Sequence, residues 1–189
     1  MKLYKYDLYR LTGKTDNYTF VKTFLIHRGL RYLYYFRLLK NRKCWFSPIV
    51  RMLSIILHKK LSVEIPNSVI LGKGVLMIHP YGITVNGKSV IGDNLTILKG
   101  ATIGNLKTGE KKGSPVIGDN VYIGLNSSVL GGVKIGNNVL IAANSFVNFD
   151  VPDGAIVLGS PGVIHLKKNA SAPYIINSIK NLLNNSRDE

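Results

Sequence analysis

Residues 115–150 consist of consecutive hexapeptides, PVIGDN VYIGLN SSVLGG VKIGNN VLIAAN SFVNFD, with an aliphatic residue at the third position of each. A period of six residues fits neither an α-helix nor a simple alternating strand. It is typical of a parallel β-helix, in which three hexapeptides form a coil of roughly 18 residues. The same spacing extends toward the N-terminus through further aliphatic anchors, which are Ile65, Leu71, Met77, Ile83, Ile91, Ile97 and Ile103. The sequence therefore predicts a mainly β protein built on a parallel β-helix, with these anchors stacked inside it.

The six-residue spacing is interrupted at two places. The step from Ile83 to Ile91 is eight residues, and the step from Ile103 to Ile117 is fourteen. The second interruption contains the Gly- and Lys-rich segment 104–115, which predicts a loop protruding from a corner of the solenoid. Loops on rigid scaffolds often carry function, so this loop either lines a site or is simply solvated.

The net charge of +15 over 189 residues is unevenly distributed. Residues 1–63 contain 14 Lys and Arg against 2 Asp and Glu, a net charge of +12. This distribution predicts a basic, aromatic N-terminal module at 1–62, the β-helix at 63–166 and a C-terminal tail at 167–189. The single cysteine, Cys44, excludes a disulfide framework, and no secretory signal follows Met1, so we expect a cytoplasmic protein.

The N-terminal module is predicted to form two helices, Lys22–Lys43 and Pro48–Lys60, and the tail a short helix at Tyr174–Leu183. Because solenoid ends need covering, the module could cap the β-helix or mediate oligomer contacts. Its mixture of basic residues, tyrosines and leucines would also suit peripheral binding to the anionic inner face of a membrane. No nucleic-acid-binding motif is present, so nucleic acid is not an expected partner.

Histidines are scarce in the solenoid, where only His79 and His165 occur. Zinc sites need three or four ligands of this kind, so no metal is expected. His79 lies shortly before the first interruption of the repeat. A neutral imidazole is the usual general base for activating a hydroxyl group, although a lone histidine is more often a surface residue than a catalyst.

Seven short motifs, in order, resemble those of the hexapeptide-repeat acyltransferases over about residues 62–166, most closely the serine acetyltransferase-like branch. That branch includes O-acetyltransferases of capsule and exopolysaccharide biosynthesis. The motifs are VEI (63–65), GKG (72–74), IHPYG (78–82), VIGDN (90–94), ATIG (101–104), PVIG (115–118) and VLGSPG (157–162). The resemblance implies a left-handed β-helix, a homotrimer that could form paired trimers, and acetyl-CoA as co-substrate in the groove between subunits.

The resemblance also assigns roles to individual residues. His79 corresponds to the family's catalytic histidine, and Glu64 to the carboxylate that orients it. The positions expected to contact the acceptor are Ile78, Tyr81 and Ser114. The positions expected to contact acetyl-CoA are Gly104, Asn105, Leu125, Ala143, Gly159, Pro161, Lys167 and Lys168; for the two lysines a merely solvated tail is the alternative.

Two differences from the serine acetyltransferase pattern determine which substrate we expect. Ile78 replaces an aspartate that helps to hold the ammonium group of serine, and Ser114 replaces a histidine that helps to bind its carboxylate. We therefore expect an acetyl-CoA-dependent O-acetyltransferase that acts on a saccharide or its lipid-linked precursor. The alternatives are serine O-acetylation, N-acetylation of a nucleotide sugar, and a non-catalytic β-solenoid scaffold or membrane adaptor.

Overall fold

The computed structural model describes residues 1–40 and 48–185. Four helices come first: α1 (Leu3–Thr12), α2 (Asn17–Ile26), α3 (Arg28–Lys40) and α4 (Pro48–Leu61). The strands that follow are β1 (Ile70–Leu71), β2 (Leu76–Ile78), β3 (Thr84–Val85), β4 (Val90–Ile91), β5 (Thr96–Leu98), β6 (Thr102–Gly104), β7 (Val116–Ile117), β8 (Tyr122–Ile123), β9 (Ser128–Leu130), β10 (Lys134–Ile135), β11 (Leu140–Ile141), β12 (Phe146–Val147), β13 (Ile156–Leu158) and β14 (Val163–His165). The chain ends with a 3₁₀ turn at Ala172–Tyr174 and helix α5 (Ile179–Asn185).

The strands form the predicted parallel β-helix, because successive strands go to three different sheets in turn. The sheets have the orders β1-β4-β7-β10, β2-β5-β8-β11-β13-β14 and β3-β6-β9-β12. The pairings between these fourteen strands are parallel except that of β13 with β14. The anchors stand in register, as in the column Met77, Ile97, Ile123, Ile141 and Val157. All thirteen anchors from Ile65 to Val147 lie in the core or against it.

Asparagines form the corners where the backbone needs a left-handed conformation. Asn94, Asn120 and Asn138 have φ values of +60°, +56° and +57°. Asparagine tolerates this region because its short polar side chain can hydrogen-bond locally. Their amides also stack: the Nδ2 group of Asn94 donates to Asn120 Oδ1 (2.9 Å), and that of Asn120 to Asn138 Oδ1 (3.1 Å). The polar positions of the repeat therefore hold successive coils together outside the apolar core.

The helical segment covers the N-terminal end of the solenoid. The core runs without a break from Tyr32, Leu33 and Phe36 of α3 through Leu61 into the β-helix. A buried ion pair fixes α1 and α3 to each other, with Arg37 Nε 3.1 Å from Asp7 Oδ2. Both side chains also bind the solenoid backbone, because Asp7 accepts from the Val75 N–H (2.8 Å) and Arg37 donates to the Leu71 carbonyl (2.8 Å).

A second buried cation, Arg10, strengthens this junction. Its Nε donates to the Gly74 carbonyl at 3.0 Å and its Nη2 to Thr96 Oγ1 at 2.8 Å. Burial lowers the pKa of Arg10 to about 10. Burial also raises the pKa of Asp7, although Arg37 and backbone N–H groups oppose that shift. Two of the basic residues in 1–62, Arg10 and Arg37, are therefore buried and structural rather than solvated.

The structure corrects the predicted helices in two respects. The predicted helix Lys22–Lys43 is two helices, because His27 adopts an extended conformation that ends α2. The His27 ring then accepts from the Leu30 N–H (Nδ1, 3.2 Å) at the start of α3. Helix α1 was not predicted; it ends at Gly13, which has a φ of +73°. The described residues do not include 41–43, where the predicted helix was to end, or Cys44.

The C-terminal tail runs back along the solenoid toward α1. The tail helix predicted at Tyr174–Leu183 begins later, at Ile179, whose N–H donates to Asn94 Oδ1 (3.0 Å). Tyr174 packs on Tyr122 of β8, with ring centroids 4.8 Å apart. Within residues 1–40 and 48–185, no helix combines the length and apolarity needed to cross a membrane.

Two ion pairs in this chain allow a matched test of the junction. We expect Asp7→Ala to lower the free energy of unfolding by about 3–5 kcal/mol, because it leaves the Arg37 charge buried without its partner. Lys111→Ala breaks the pair with Asp150, whose side chains are 39% and 55% exposed, and should change stability little. Urea unfolding followed by circular dichroism measures both, and equal effects would contradict a structural role for the buried pair.

Candidate active site

His79 lies on a rigid corner directly after β2. Its side chain is exposed, and its backbone has a φ of +50°. The His79 carbonyl accepts from the Tyr81 N–H at 2.7 Å, and the Gly82 N–H donates to the Leu61 carbonyl at 3.0 Å. The corner is therefore tied to the end of α4, and it presents an imidazole that solvent and a substrate can reach.

Glu64 lies beside the strand that leaves the His79 corner. It forms a parallel bridge with Thr84, with its N–H donating to the Ile83 carbonyl at 2.7 Å. Its side chain is exposed, and its charge adds to the effect of burial in raising the pKa of Tyr32. Within the described residues, neither Glu64 carboxylate oxygen is hydrogen-bonded to His79. An orienting role for Glu64 stays a prediction.

Residues at the junction of α2 and α3 also reach this corner, and the sequence analysis missed them. His27 is half-buried beside His79; burial, and then the nearby His79 and Arg31, lower the pKa of His27. The Arg28 guanidinium carbon lies 5.6 Å from the centroid of the Tyr81 ring. No repeat or motif marks these residues, because they reach the site only through the packing of α3 against β2.

Several predicted site residues lie along one edge of the solenoid. His79, Leu125, Ala143 and Gly159 each follow a strand of the same sheet, namely β2, β8, β11 and β13. Backbone bonds connect adjacent corners of this edge, such as Gly100 N–H to the Tyr81 carbonyl (2.8 Å). Pro161 follows at the end of the same edge. The structure thus aligns the predicted catalytic histidine with four of the eight predicted acetyl-CoA positions, namely Leu125, Ala143, Gly159 and Pro161.

Lys167 and Lys168 are placed elsewhere. Strand β14 reverses the chain direction, so that His165 pairs with Ile156 at the start of β13. The two lysines follow His165 and reach Gly154, at the opposite end of β13 from Gly159. Within one protomer, the tail therefore does not bring these lysines to the edge occupied by His79, because the antiparallel turn carries them away from it.

A polar cluster joins the two interruptions of the hexapeptide repeat. Asn86, in the first interruption, donates from Nδ2 to Asn105 Oδ1 (3.1 Å). Its Oδ1 accepts from Ser114 Oγ (2.9 Å) and from the Lys88 N–H (3.0 Å). Asn105 and Ser114, the predicted cofactor and acceptor residues, are therefore held together by Asn86, which the sequence analysis did not name. The sequence feature that could have identified Asn86 is its position inside the first interruption of the hexapeptide repeat.

The loop 104–115 is folded back on the solenoid. Leu106 and Gly113 form an antiparallel bridge with two hydrogen bonds of 3.0 Å. The Lys111 carbonyl accepts from the Gly132 N–H at 2.7 Å, and its ammonium group pairs with Asp150. Gly104 begins the loop, and a side chain there would meet Leu130 Cδ2 at 2.7 Å. In the part of the chain that the structure describes, no group of three His, Cys, Asp or Glu side chains is placed to hold a metal ion.

Comparison with known proteins defines the family. The bacterial transferase hexapeptide model matches residues 114–148. Serine acetyltransferase of Staphylococcus epidermidis is 38% identical over 141 residues, which cover 74% of this chain and 64% of that protein. The structure of Neisseria gonorrhoeae serine acetyltransferase in complex with serine is 31% identical, with a TM-score of 0.67 over 87% of this chain and 68% of that one. The chain therefore belongs to the hexapeptide-repeat transferase family.

The relatives compared with this chain are serine acetyltransferases. One further neighbour is the Brucella abortus serine acetyltransferase in complex with coenzyme A, 26% identical with a TM-score of 0.74 over 88% of this chain and 67% of that one. These relatives agree with the predicted acyltransferase class and with acetyl-CoA as co-substrate. The chain spans less than two thirds of the length of the curated relatives it matches, as the 64% for the Staphylococcus epidermidis protein indicates.

The comparisons overturn the predicted saccharide acceptor and the capsular or exopolysaccharide branch. The relatives at 34–40% identity are named serine acetyltransferases. The wrong prediction rested on Ile78 and Ser114, which lack the expected charge. That argument assumed that only the solenoid contributes to the acceptor site, whereas the structure also brings His27 and Arg28 to the His79 corner.

The polar cluster can be tested by removing its central residue. Asn86→Ala deletes all three side-chain hydrogen bonds, each worth about 1 kcal/mol, and should release the loop without unfolding the coil. We expect faster hydrogen exchange across residues 105–114, with little change in the melting temperature. Ser114→Ala removes only one bond and should have a smaller effect; equal exchange rates in the two variants would contradict the central role of Asn86.

Proposed function

We propose that this chain is an acetyl-CoA-dependent serine O-acetyltransferase with His79 as its general base. The observation that carries the proposal is the position of His79, exposed on a rigid corner at the head of the edge that contains Leu125, Ala143 and Gly159. The serine acetyltransferase relatives supply the acceptor class. The sites for both substrates then lie along one edge, which suits direct transfer between them.

In the proposed reaction, His79 accepts the proton of the serine hydroxyl as that oxygen attacks the thioester carbonyl carbon. A C–O bond forms and the C–S bond breaks. His79 then returns its proton to the departing thiolate of CoA, so that it ends the cycle neutral. Glu64 would act as a positioning residue that stabilises the transient imidazolium, because a nearby carboxylate favours the charged form. A backbone N–H at Gly104 or Asn105 would stabilise the oxyanion.

The proposal includes the assembly and the domain roles. We propose a left-handed β-helix that forms a homotrimer, with acetyl-CoA bound between the edge of one protomer and its neighbour. Residues 63–166 would carry the catalytic groups and 1–62 would cap them. Lys167 and Lys168 would meet the CoA phosphates only if they come from the neighbouring protomer, since they lie away from the His79 edge of their own chain.

The outer surface of the helical segment supports a contact role. Leu25 and Ile26 of α2 and Ile55 and Ile56 of α4 are 50–73% exposed. Exposed apolar patches of this kind commonly mark interaction sites. We propose that this surface joins two trimers. The alternative is that it contacts an anionic membrane peripherally.

A single charge on α4 should separate these uses. We expect Ile55→Glu to reduce the solution mass from paired to single trimers, measured by light scattering, because a carboxylate is costly to bury. Lys59→Glu, an exposed position on the same helix, is the control. An unchanged mass combined with weaker flotation on anionic phosphatidylserine vesicles would favour the membrane instead.

The catalytic assignment is tested by the release of CoA from acetyl-CoA in the presence of L-serine. We expect His79→Ala to lower kcat by about 10²–10⁴-fold, the usual contribution of a general base, while acetyl-CoA still binds. His165→Ala removes another exposed solenoid histidine and should leave kcat nearly unchanged. A wild-type protein that binds acetyl-CoA but does not turn over L-serine would overturn the proposed acceptor, and absence of binding would favour a scaffold.

A further inference from the structure

A cationic cavity lies between the helices next to the His79 corner. It has a volume of about 270 Å³ and is lined by residues of α2, α3 and α4. Three of its lining side chains are basic, namely Arg28, Arg31 and Lys60, and none is acidic. The other lining residues are aromatic or aliphatic, including Tyr35 and Leu57. The cavity thus combines several positive charges with apolar walls.

These charges are not neutralised within the described protomer. Within residues 1–40 and 48–185, none of these three side chains forms an ion pair. The Nε group of Arg31 is buried and has no hydrogen-bond partner there. A buried donor without a partner costs free energy, so the arrangement favours an anion that accepts its hydrogen bonds.

The cavity is connected to the catalytic corner by direct contacts. Leu61 lines the cavity, and its carbonyl accepts from the Gly82 N–H at 3.0 Å. Arg28 lines the cavity as well, and its guanidinium lies 5.6 Å from the Tyr81 ring centroid. A cation at this distance from an aromatic ring is attracted to its face, which holds Arg28 toward the corner. An anion bound by Arg28 would therefore lie near the exposed imidazole of His79.

The acceptor positions predicted in the solenoid carry no charge that would bind an anion. Ile78 is apolar, and the cluster of Asn86, Asn105 and Ser114 carries no formal charge. L-serine, however, presents a carboxylate close to the hydroxyl group that reacts. Near His79, Arg28 and Arg31 of α3 are especially suited to a carboxylate, because a guanidinium can bind both of its oxygens at once.

We propose that Arg28, supported by Arg31 and oriented by Tyr81, binds the carboxylate of the amino-acid acceptor. This inference rests on the proposed serine acetyltransferase function and names the residues that give it specificity. It makes the helical segment part of the acceptor site. It also explains how the site could bind a carboxylate although Ile78 and Ser114 carry no charge.

The test compares L-serine with ethanolamine, which keeps the hydroxyl and amino groups but lacks the carboxylate. Arg28→Gln should raise the KM for L-serine about 10- to 100-fold, as expected for loss of a charged hydrogen bond, and leave the KM for acetyl-CoA unchanged. The preference for L-serine over ethanolamine should fall by the same factor. Arg28→Lys should retain part of it, since the charge remains. Lys59→Gln removes a nearby exposed charge that does not line the cavity and is the matched control.

The outcomes separate this inference from the proposed function. Wild-type protein that does not turn over L-serine would overturn the function itself and the inference with it. Turnover of L-serine with unchanged selectivity in Arg28→Gln would overturn the inference alone. A raised KM for acetyl-CoA in Arg28→Gln would also overturn it, because the arginine would then bind a CoA phosphate. Arg28 is exposed, so its substitution should leave the fold intact, and circular dichroism checks this.

Discussion

Strands of two or three residues cannot stand alone, and the whole molecule depends on the way in which they are stacked. Each strand, such as Tyr122–Ile123, finds its backbone partners only in the coils above and below it. Its inward side chain is buried only because the stacked coils share one apolar core. The exact six-residue period is therefore a physical requirement, since a shift by one residue would turn an anchor outward. This rigidity allows corner residues such as His79 to keep a fixed position.

The end of such a stack exposes apolar surface and unpaired backbone groups, and the helical segment solves this problem. Apolar residues of α3 continue the core, while Asp7, Arg10 and Arg37 bind carbonyl and N–H groups of the first coil. Because these side chains are buried and hydrogen-bonded to the solenoid backbone, the helices sit on the solenoid in one specific arrangement. That arrangement brings the start of α3, with His27 and Arg28, to the His79 corner.

The same geometry bears on the proposed acceptor. The absence of charge at Ile78 and Ser114 led the sequence analysis to a saccharide, while the relatives are serine acetyltransferases. The cations near His79 come from a helix separated from it by about fifty residues of sequence, so no local pattern reports them. In the same way, Asn86 unites Asn105 and Ser114 only because β3 pairs with β6.

The amino-acid sequence by itself determined the parallel β-helix, its thirteen anchors and its interruptions. It could do so because each of these depends on a local period that every coil repeats. It did not reveal helix α1, the break at His27, the displacement of Lys167 and Lys168, or the cationic cavity beside the His79 corner. These were decided by the tertiary structure, because they depend on contacts between distant segments whose free energy comes from burial and charge pairing rather than from sequence spacing.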